Sequence, residues 1–281
     1  MMSLQQPSPT QETTEQGAAS KPSIQIAAMH DLTQFQSCVD LQLAVWGYSD
    51  GDLIPRRMFL LADRIGGQVL GAFDGDKVVG FAMALPGYRN RRPYLHSHML
   101  AVLPEYRNLG LGRRLKLAQR DDALARGFEL MEWTFDPLEI KNAHLNIARL
   151  GAICRRYQPD FYGPSSSPLQ GGLPTDRLYA EWWLGSPRVR RILGESTSAQ
   201  QGSEEIVEEI VVPHELHQWK QEAATRELAS ERQRSNREAL QAAFVRGLAV
   251  VGYRRESNRD GIFLLGPIAP AEIAPADAAR P

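Results

Sequence analysis

Cysteine is scarce in this chain: two residues, Cys38 and Cys154, among 281. Two distant thiols cannot build a disulfide framework or a four-thiolate zinc site, so a reducing, cytoplasmic location is the expectation. Long apolar runs are missing as well. No stretch approaches the roughly 18 residues that cross a bilayer, and the first 23 residues, rich in Gln, Ser, Thr and Pro, lack the apolar centre of a signal peptide. Excess charge of either sign is absent: 32 Lys and Arg face 33 Asp and Glu, a net charge of −1. That excludes a strongly basic nucleic-acid binder. There is no internal repeat. What remains is an ordinary globular composition, 43% hydrophobic and 23% charged, able to build a core.

The apolar spacing predicts alternating strands and helices. A short strand over 24–27 precedes a helix capped by Asp31, with Leu32, Phe35, Val39 and Leu43 on its apolar face. Pro55 opens a second helix, closed by Gly66 and Gly67. Asp74-Gly75 between two apolar runs marks a hairpin over 69–84. A basic loop over 86–93 holds Arg89, Arg91 and Arg92, and a strand follows over 94–102. A helix over 111–126 carries Leu111, Leu115, Ala118, Leu117 and Leu124, with Gly127 as its stop. Then come a strand over 128–135, a helix over 141–150, a strand over 152–157, a Pro-, Gly- and Ser-rich loop over 158–175 and a strand over 177–184. Beyond Gly185 the composition changes: a Ser-, Gln- and Gly-rich stretch over 195–203 reads as a linker or a surface loop, and a strand follows over 206–212. A charged helical stretch over 215–246 divides at the capping box Ser235 to Glu238. A final hairpin over 248–265 turns around Asn258 to Gly261. The Ala- and Pro-rich end is expected to be disordered, like the lead-in.

The chemistry concentrates after Val102. Val102-x-Pro104 leads into Arg107-x-x-Gly110-x-Gly112-Arg113, a strand, a turn, a glycine-rich loop and a helix. The free N–H groups at a helix start and the helix dipole favour an anion there. Gly110 and Gly112 allow close backbone approach, and Arg107 and Arg113 add positive charge. The piece suits a diphosphate. A Walker A run is absent, and the dinucleotide fingerprint fails because Leu115 stands where its third Gly belongs. Weighed alone, Gly-x-Gly before a helix also fits a tight turn.

The loop together with its order of flanking elements resembles the coenzyme A loop of the GNAT superfamily of acyltransferases, over about residues 24–184. A further likeness is to bacterial GNAT proteins with a C-terminal extension. The resemblance implies an α/β fold: a twisted mixed β-sheet flanked by helices, with a C-terminal αβ extension. It divides the chain into a lead-in (1–23), an acyltransferase domain (24–190), the extension (191–267) and a tail (268–281). It implies acetyl-CoA or another acyl-CoA as co-substrate, with no metal. It sets the pantetheine arm along Leu100, Ala101 and Val102, with Leu100 N–H as an oxyanion donor. The pyrophosphate then falls on Arg107, Asn108, Leu109, Gly110, Leu111, Gly112 and Arg113, and Asn142 lies within reach of the arm.

Acyl transfer to an amine needs a base for the ammonium and benefits from an acid for the thiolate. His96 stands eleven residues before Arg107, where the family often places a carboxylate, and imidazole suits proton uptake near neutrality. His98 shares its strand face; packing without catalysis is the bland alternative for both. The family's usual acid, a Tyr four residues before Gly151, is Ile147 here. Tyr157 or Tyr162 stands in as a candidate, or the thiolate leaves unassisted. Asp136 either faces the substrate or caps the next turn. Trp133 and Phe135 read as core, and one of Trp182 and Trp183 as a pocket wall. Arg89, Arg91 and Arg92 either bind a substrate carboxylate or are solvated, and Arg155 and Arg156 carry the same two readings.

The expected reaction is transfer of an acetyl, succinyl or other acyl group to a primary amine on a small molecule such as an amino acid. No nucleic acid or membrane is an expected partner, and a homodimer stays open. The alternative is a non-catalytic acyl-CoA-binding module whose extension binds a partner.

Overall fold

The computed structural model describes residues 23–49, 51–195 and 205–274. The expected lead-in and the middle of the expected linker fall on residues outside these. One ten-stranded sheet organises the rest, in the order β1-β2-β3-β4-β5-β7-β6-β9-β10-β8. The strands are β1 (Gln25–Ala28), β2 (Gln68–Asp74), β3 (Lys77–Arg89), β4 (Arg92–Val102), β5 (Leu130–Phe135), β6 (Ile153–Gln158), β7 (Arg177–Trp183), β8 (Glu208–Val212), β9 (Ala249–Arg255) and β10 (Gly261–Gly266). The main helices are α1 (Leu32–Trp46), α2 (Arg56–Arg64), α3 (Leu111–Ala125), α4 (Ile140–Ala143), α5 (Pro187–Leu193), α6 (Leu216–Gln221), α7 (Arg226–Val245) and α8 (Pro270–Ile273).

Local chemistry explains the boundaries. Asp31 accepts from the N–H groups of Thr33 and Gln34 to cap α1, and Gly47 ends it in the left-handed conformation. The Asp74-Gly75 hairpin forms, with Asp74 opposite Lys77. The stretch 86–93 corrects the reading as a loop. β3 and β4 continue as a hairpin, Arg89 opposite Arg92, around Asn90 and Arg91. Both turn residues have positive φ, 51° and 62°, the geometry that matches strand twist in a two-residue turn.

Four more expectations need correction. The helix over 141–150 is α4 followed by a π-helical turn, His144–Arg149. The charged stretch divides before Arg226, not at Ser235. The would-be cap region lies inside α7, where Asn236 is buried and donates to the Val211 carbonyl at 3.2 Å. The start of the expected disordered tail forms α8, tied to α5 by Arg191 and Glu272 at 2.9 Å. On α3, Leu124 is exposed, and Lys116, Gln119 and Arg120 share the buried side with Leu111 and Leu115.

Three apolar clusters fill the two sides of the sheet. Phe35, Phe59, Phe81 and Met83 pack under α1 and α2. Leu70, Val79, Leu111 and Leu115 pack under α3. The third runs from Trp133 and Trp182 into Val250 and Phe263, so one core joins strands β3 to β7 to the extension.

The backbone join to the extension is thin, since β6 meets β9 at the single pair Cys154↔Val250. Side chains strengthen it. Arg237 of α7 donates to both oxygens of the fully buried Asp176 at 2.8 and 3.0 Å, and the Tyr157 hydroxyl donates to the same carboxylate at 2.6 Å. Lys220 of α6, also buried, donates to Asp136 at 3.0 Å and Glu139 at 3.2 Å. Removing one partner of a buried pair leaves a stranded charge, at a cost of about 3 kcal/mol. Arg237→Leu is therefore expected to lower the urea midpoint by a stability loss of about 3 kcal/mol, while Arg232→Leu, on the same helix outside this pair, serves as the control and stays near wild type.

Candidate active site

The site begins where two strands part. β4 and β5 pair in parallel at only two places, Leu95↔Met131 and His96↔Glu132. Beyond these, β4 continues against β3 and β5 continues against β7, so a fork opens toward the C-terminal ends of both strands. Within β4 the register slips: Met83 faces Met99, yet Ala84 faces Ser97, and His98 has no partner. This bulge turns the faces of the strand. Ser97 and Leu100 both lie toward α3, although three residues apart.

α3 starts at the wide end of the fork. Asn108 and Gly110 have positive φ, 64° and 75°, and α3 has no side-chain cap, so its first N–H groups are free. Successive backbone N–H groups in such a turn form an anion-binding concavity. Tyr106 pins the turn by donating to Asp74 at 2.7 Å. Arg107, Asn108 and Leu109 are exposed on it. A Cβ at Gly112 would meet Leu100 at 3.6 Å and Leu145 at 3.7 Å, so glycine keeps open a cleft between β4, α3 and the π-helical turn. Arg113 Nε is buried and has no protein partner. A free helix start, an orphaned guanidinium N–H and an open cleft together fit a diphosphate followed by a slender arm. The unpaired edge of β4, over Leu100, Ala101 and Val102, is where such an arm would add hydrogen bonds. Asn142 is exposed on α4.

His96 and His98 lie on the opposite side of the fork from α3, ring centroids 6.1 Å apart. Burial, then the neighbouring His98, Lys116 and Arg156, pushes the His96 pKa down to about 4. Burial lowers that of His98 as well. Both imidazoles are therefore neutral near pH 7, and the same burial weakens them as bases. The other two expected catalytic residues are otherwise engaged. Asp136 caps Leu138 N–H at 2.8 Å and pairs with Lys220. Tyr157 is tied to Asp176, and burial followed by that carboxylate raises its pKa, which makes it a poor acid. Tyr162 stands nearer the fork, its hydroxyl 3.2 Å from Thr134 Oγ1. Ile147 is fully buried in the core.

Glu132 and the cluster around Lys116 escaped sequence reasoning. Glu132, 1% exposed, is held by Arg89 and by Arg156 at 2.8 Å. Arg156 also lies over the Tyr179 ring at 4.1 Å. On the α3 side, Lys116 is buried without a carboxylate. Its Nζ donates to Ser97 Oγ at 2.7 Å and lies 3.6 Å above the Trp133 ring. Ser97 in turn donates to Gln119 at 2.9 Å. Burying an ammonium costs several kcal/mol, and a hydroxyl and a ring return about 2 kcal/mol each at most. Burial therefore wins, and the Lys116 pKa falls well below the usual lysine value. The signal for this cluster was available: 116, 119, 120 and 123 repeat at helical spacing, but three of the four are polar.

A groove of about 550 Å³ opens on the histidine face, lined by Arg89, Tyr94, Arg155, Arg156, Glu181 and Trp183, among others. Trp183 Nε1 is buried there without a partner, whereas Trp182 is core and donates to the Leu150 carbonyl at 2.6 Å. The arginines of the former loop are divided: Arg89 holds Glu132, Arg92 pairs with Glu129 at 3.3 Å and Arg91 is exposed. The loop between β6 and β7 is fastened to the one between α1 and α2. Ser166 N–H donates to Asp52 at 2.8 Å, and Ser167 donates to the Trp46 carbonyl at 2.8 Å.

Residues 35–146 match the family described as the acetyltransferase (GNAT) family. This stretch is a GNAT acetyltransferase domain. The fork, the bulge and the glycine loop all lie within it. Among solved structures, the chain is similar to the ribosomal-protein-S18-alanine N-acetyltransferase of Escherichia coli, at 14% identity, over 56% of this chain and 92% of that one, with a TM-score of 0.45. It is similar to a GNAT acetyltransferase of Streptococcus pneumoniae at 18% identity, over 57% and 98%, TM-score 0.45. It is also similar to yncA of Salmonella typhimurium, solved with its cofactor acetyl-CoA, at 17% identity, over 58% and 94%, TM-score 0.45. No curated protein matches the sequence. Among the described residues no helix is long and apolar enough to cross a membrane.

The low His96 pKa carries a stability consequence. Unfolded His titrates near 6.5, so between about 6.5 and about 4 the unfolded chain binds more protons than the folded one. Stability therefore falls as pH drops through that window. In His96→Gln this part of the loss disappears, and urea midpoints measured from pH 7 to pH 4 are expected to decline less steeply than in wild type.

Proposed function

We propose that the protein is an acyl-CoA-dependent N-acyltransferase acting on a small primary amine. The observation that carries this reading is the fork between β4 and β5, entered from the uncapped start of α3. Arg107, Arg113 and the backbone from Asn108 to Gly112 hold the pyrophosphate. The pantetheine arm passes Gly112 and lies along Leu100, Ala101 and Val102, bringing the thioester to the vertex near His96. The Leu100 N–H is the proposed donor to the developing oxyanion.

The acceptor approaches on the histidine face. A neutral His96 takes the proton that the attacking nitrogen sheds, with His98 beside it as the second imidazole. Asp136 and Tyr157 act through structure, by anchoring the extension. The groove supports an acceptor that carries a carboxylate, such as an amino acid, because arginines outnumber the buried acids on its wall. Its volume suits a small molecule. The fastened loops between α1 and α2 and between β6 and β7 favour the same class over an extended peptide. The cytoplasm, which supplies acyl-CoA, is the proposed location.

Isothermal titration tests the donor. Acetyl-CoA or succinyl-CoA is expected to bind the wild type, and Gly112→Trp, which fills the cleft between Leu100 and Leu145, is expected to abolish binding. Wild-type protein that binds no CoA ester overturns the proposal. Release of free thiol across a panel of amines then separates an enzyme from a binding module.

A further inference from the structure

Lys116 has no carboxylate to balance it, yet it sits at the most consequential point of the fork. Ser97 is the first β4 residue beyond the last pair with β5, and Trp133 is the first on β5. The Lys116 amine contacts both, at 2.7 Å from the hydroxyl and 3.6 Å from the ring centroid. It is close enough to His96 to depress its pKa. The two side chains therefore flank one vertex from opposite faces. α3 runs from the wide end of the fork toward this vertex, and the six residues from Gly110 to Lys116 advance about 9 Å. A ligand anchored at the start of the helix and laid along the fork arrives at Lys116. A second polar group waits beside it: Gln119 Nε2 is buried with no partner, although its Oε1 is occupied by Ser97.

We infer that Lys116 is a catalytic residue that receives the departing coenzyme sulfur, with Ser97 and Gln119 positioning it. The inference rests on the acyl-CoA reading above. As the acceptor nitrogen forms its bond to the carbonyl carbon, the carbon–sulfur bond breaks and its electron pair goes to sulfur. The Lys116 ammonium transfers a proton to that sulfur, giving the coenzyme thiol and a neutral amine. The acceptor, which enters as an ammonium, sheds two protons in all. One replaces the proton that Lys116 gave up, and the other leaves to solvent. The counterion that the folded protein withholds from Lys116 is the sulfur's developing negative charge, so the interaction strengthens as the transition state forms. This fills the place left by Ile147.

Binding of CoA and of desulfo-CoA, which lacks only the sulfur, tests this in the full-length protein. Wild type is expected to prefer CoA by about tenfold, the size of a hydrogen bond involving a charged donor. Lys116→Met, of similar volume, is expected to bind the two alike and to keep its affinity for desulfo-CoA. Equal wild-type affinities, or an unchanged preference in Lys116→Met, overturn the inference while leaving the acyl-CoA reading intact. If Lys116→Met does not fold, the wild-type preference and its loss in Ser97→Ala decide instead. A wild type that binds neither ligand overturns both readings at once.

Discussion

β4 and β5 are held together by two residue pairs and then diverge. A sheet interior rarely tolerates such a gap, because the strand edges exposed inside it lose hydrogen-bond partners. Here the gap persists because each strand is paired along its other side, β4 with β3 apart from the bulged His98 and β5 with β7. The bulge at His98 adds a second constraint. It lets Ser97 and Leu100 both face α3, while His96 and Met99 face the other way. Without that slip, strict alternation would turn Leu100 to the same face as His96, away from α3. The fork and the bulge thus set where every functional group can stand.

The extension depends on the same domain in a different way. Its single backbone pair with β6 is supplemented by ion pairs from Arg237 and Lys220 to Asp176, Asp136 and Glu139. Two residues whose position suggested chemistry, Asp136 and Tyr157, are drawn into these contacts. A carboxylate at a strand end and a tyrosine on the next strand look alike in sequence whether they face substrate or a neighbouring helix. What separates the two roles is a partner some 80 residues later in the chain, and local spacing carries no trace of it.

The parts that spacing did reveal share a cause. The Asp31 cap, the Asp74-Gly75 hairpin and the Gly110 loop are set by backbone conformation, which a few adjacent residues decide. The positions of the strands along the chain through β7 followed from apolar patterning. Long-range packing decides the remainder. Ser235 to Glu238 has the residues of a helix start, but tertiary contacts from Asn236 hold it inside α7. Asn90-Arg91 turns a hairpin without the glycine that usually marks one. Lys116, Gln119 and Glu132 fall outside the apolar pattern, since charged and amide side chains are usually solvated. Their burial finds its reason once the fork brings Ser97, Trp133 and the arginines around them.

Those buried groups give the site an unusual electrostatic resting state. His96 is neutral because burial and nearby positive groups oppose its protonation. The Lys116 pKa is lowered because nothing acidic offsets its burial. Glu132 sits between two guanidinium groups. The vertex therefore holds a lysine without a counterion on one face and a neutral imidazole on the other, while charged pairs surround it. Such an arrangement costs stability in the free protein and is sensible only if charge arrives with the ligands. An anionic donor entering along α3 and a cationic acceptor entering by the histidines would supply opposite charges from opposite sides. The desolvation already spent at the vertex then strengthens each interaction made there, because no water remains to be displaced at the moment of transfer.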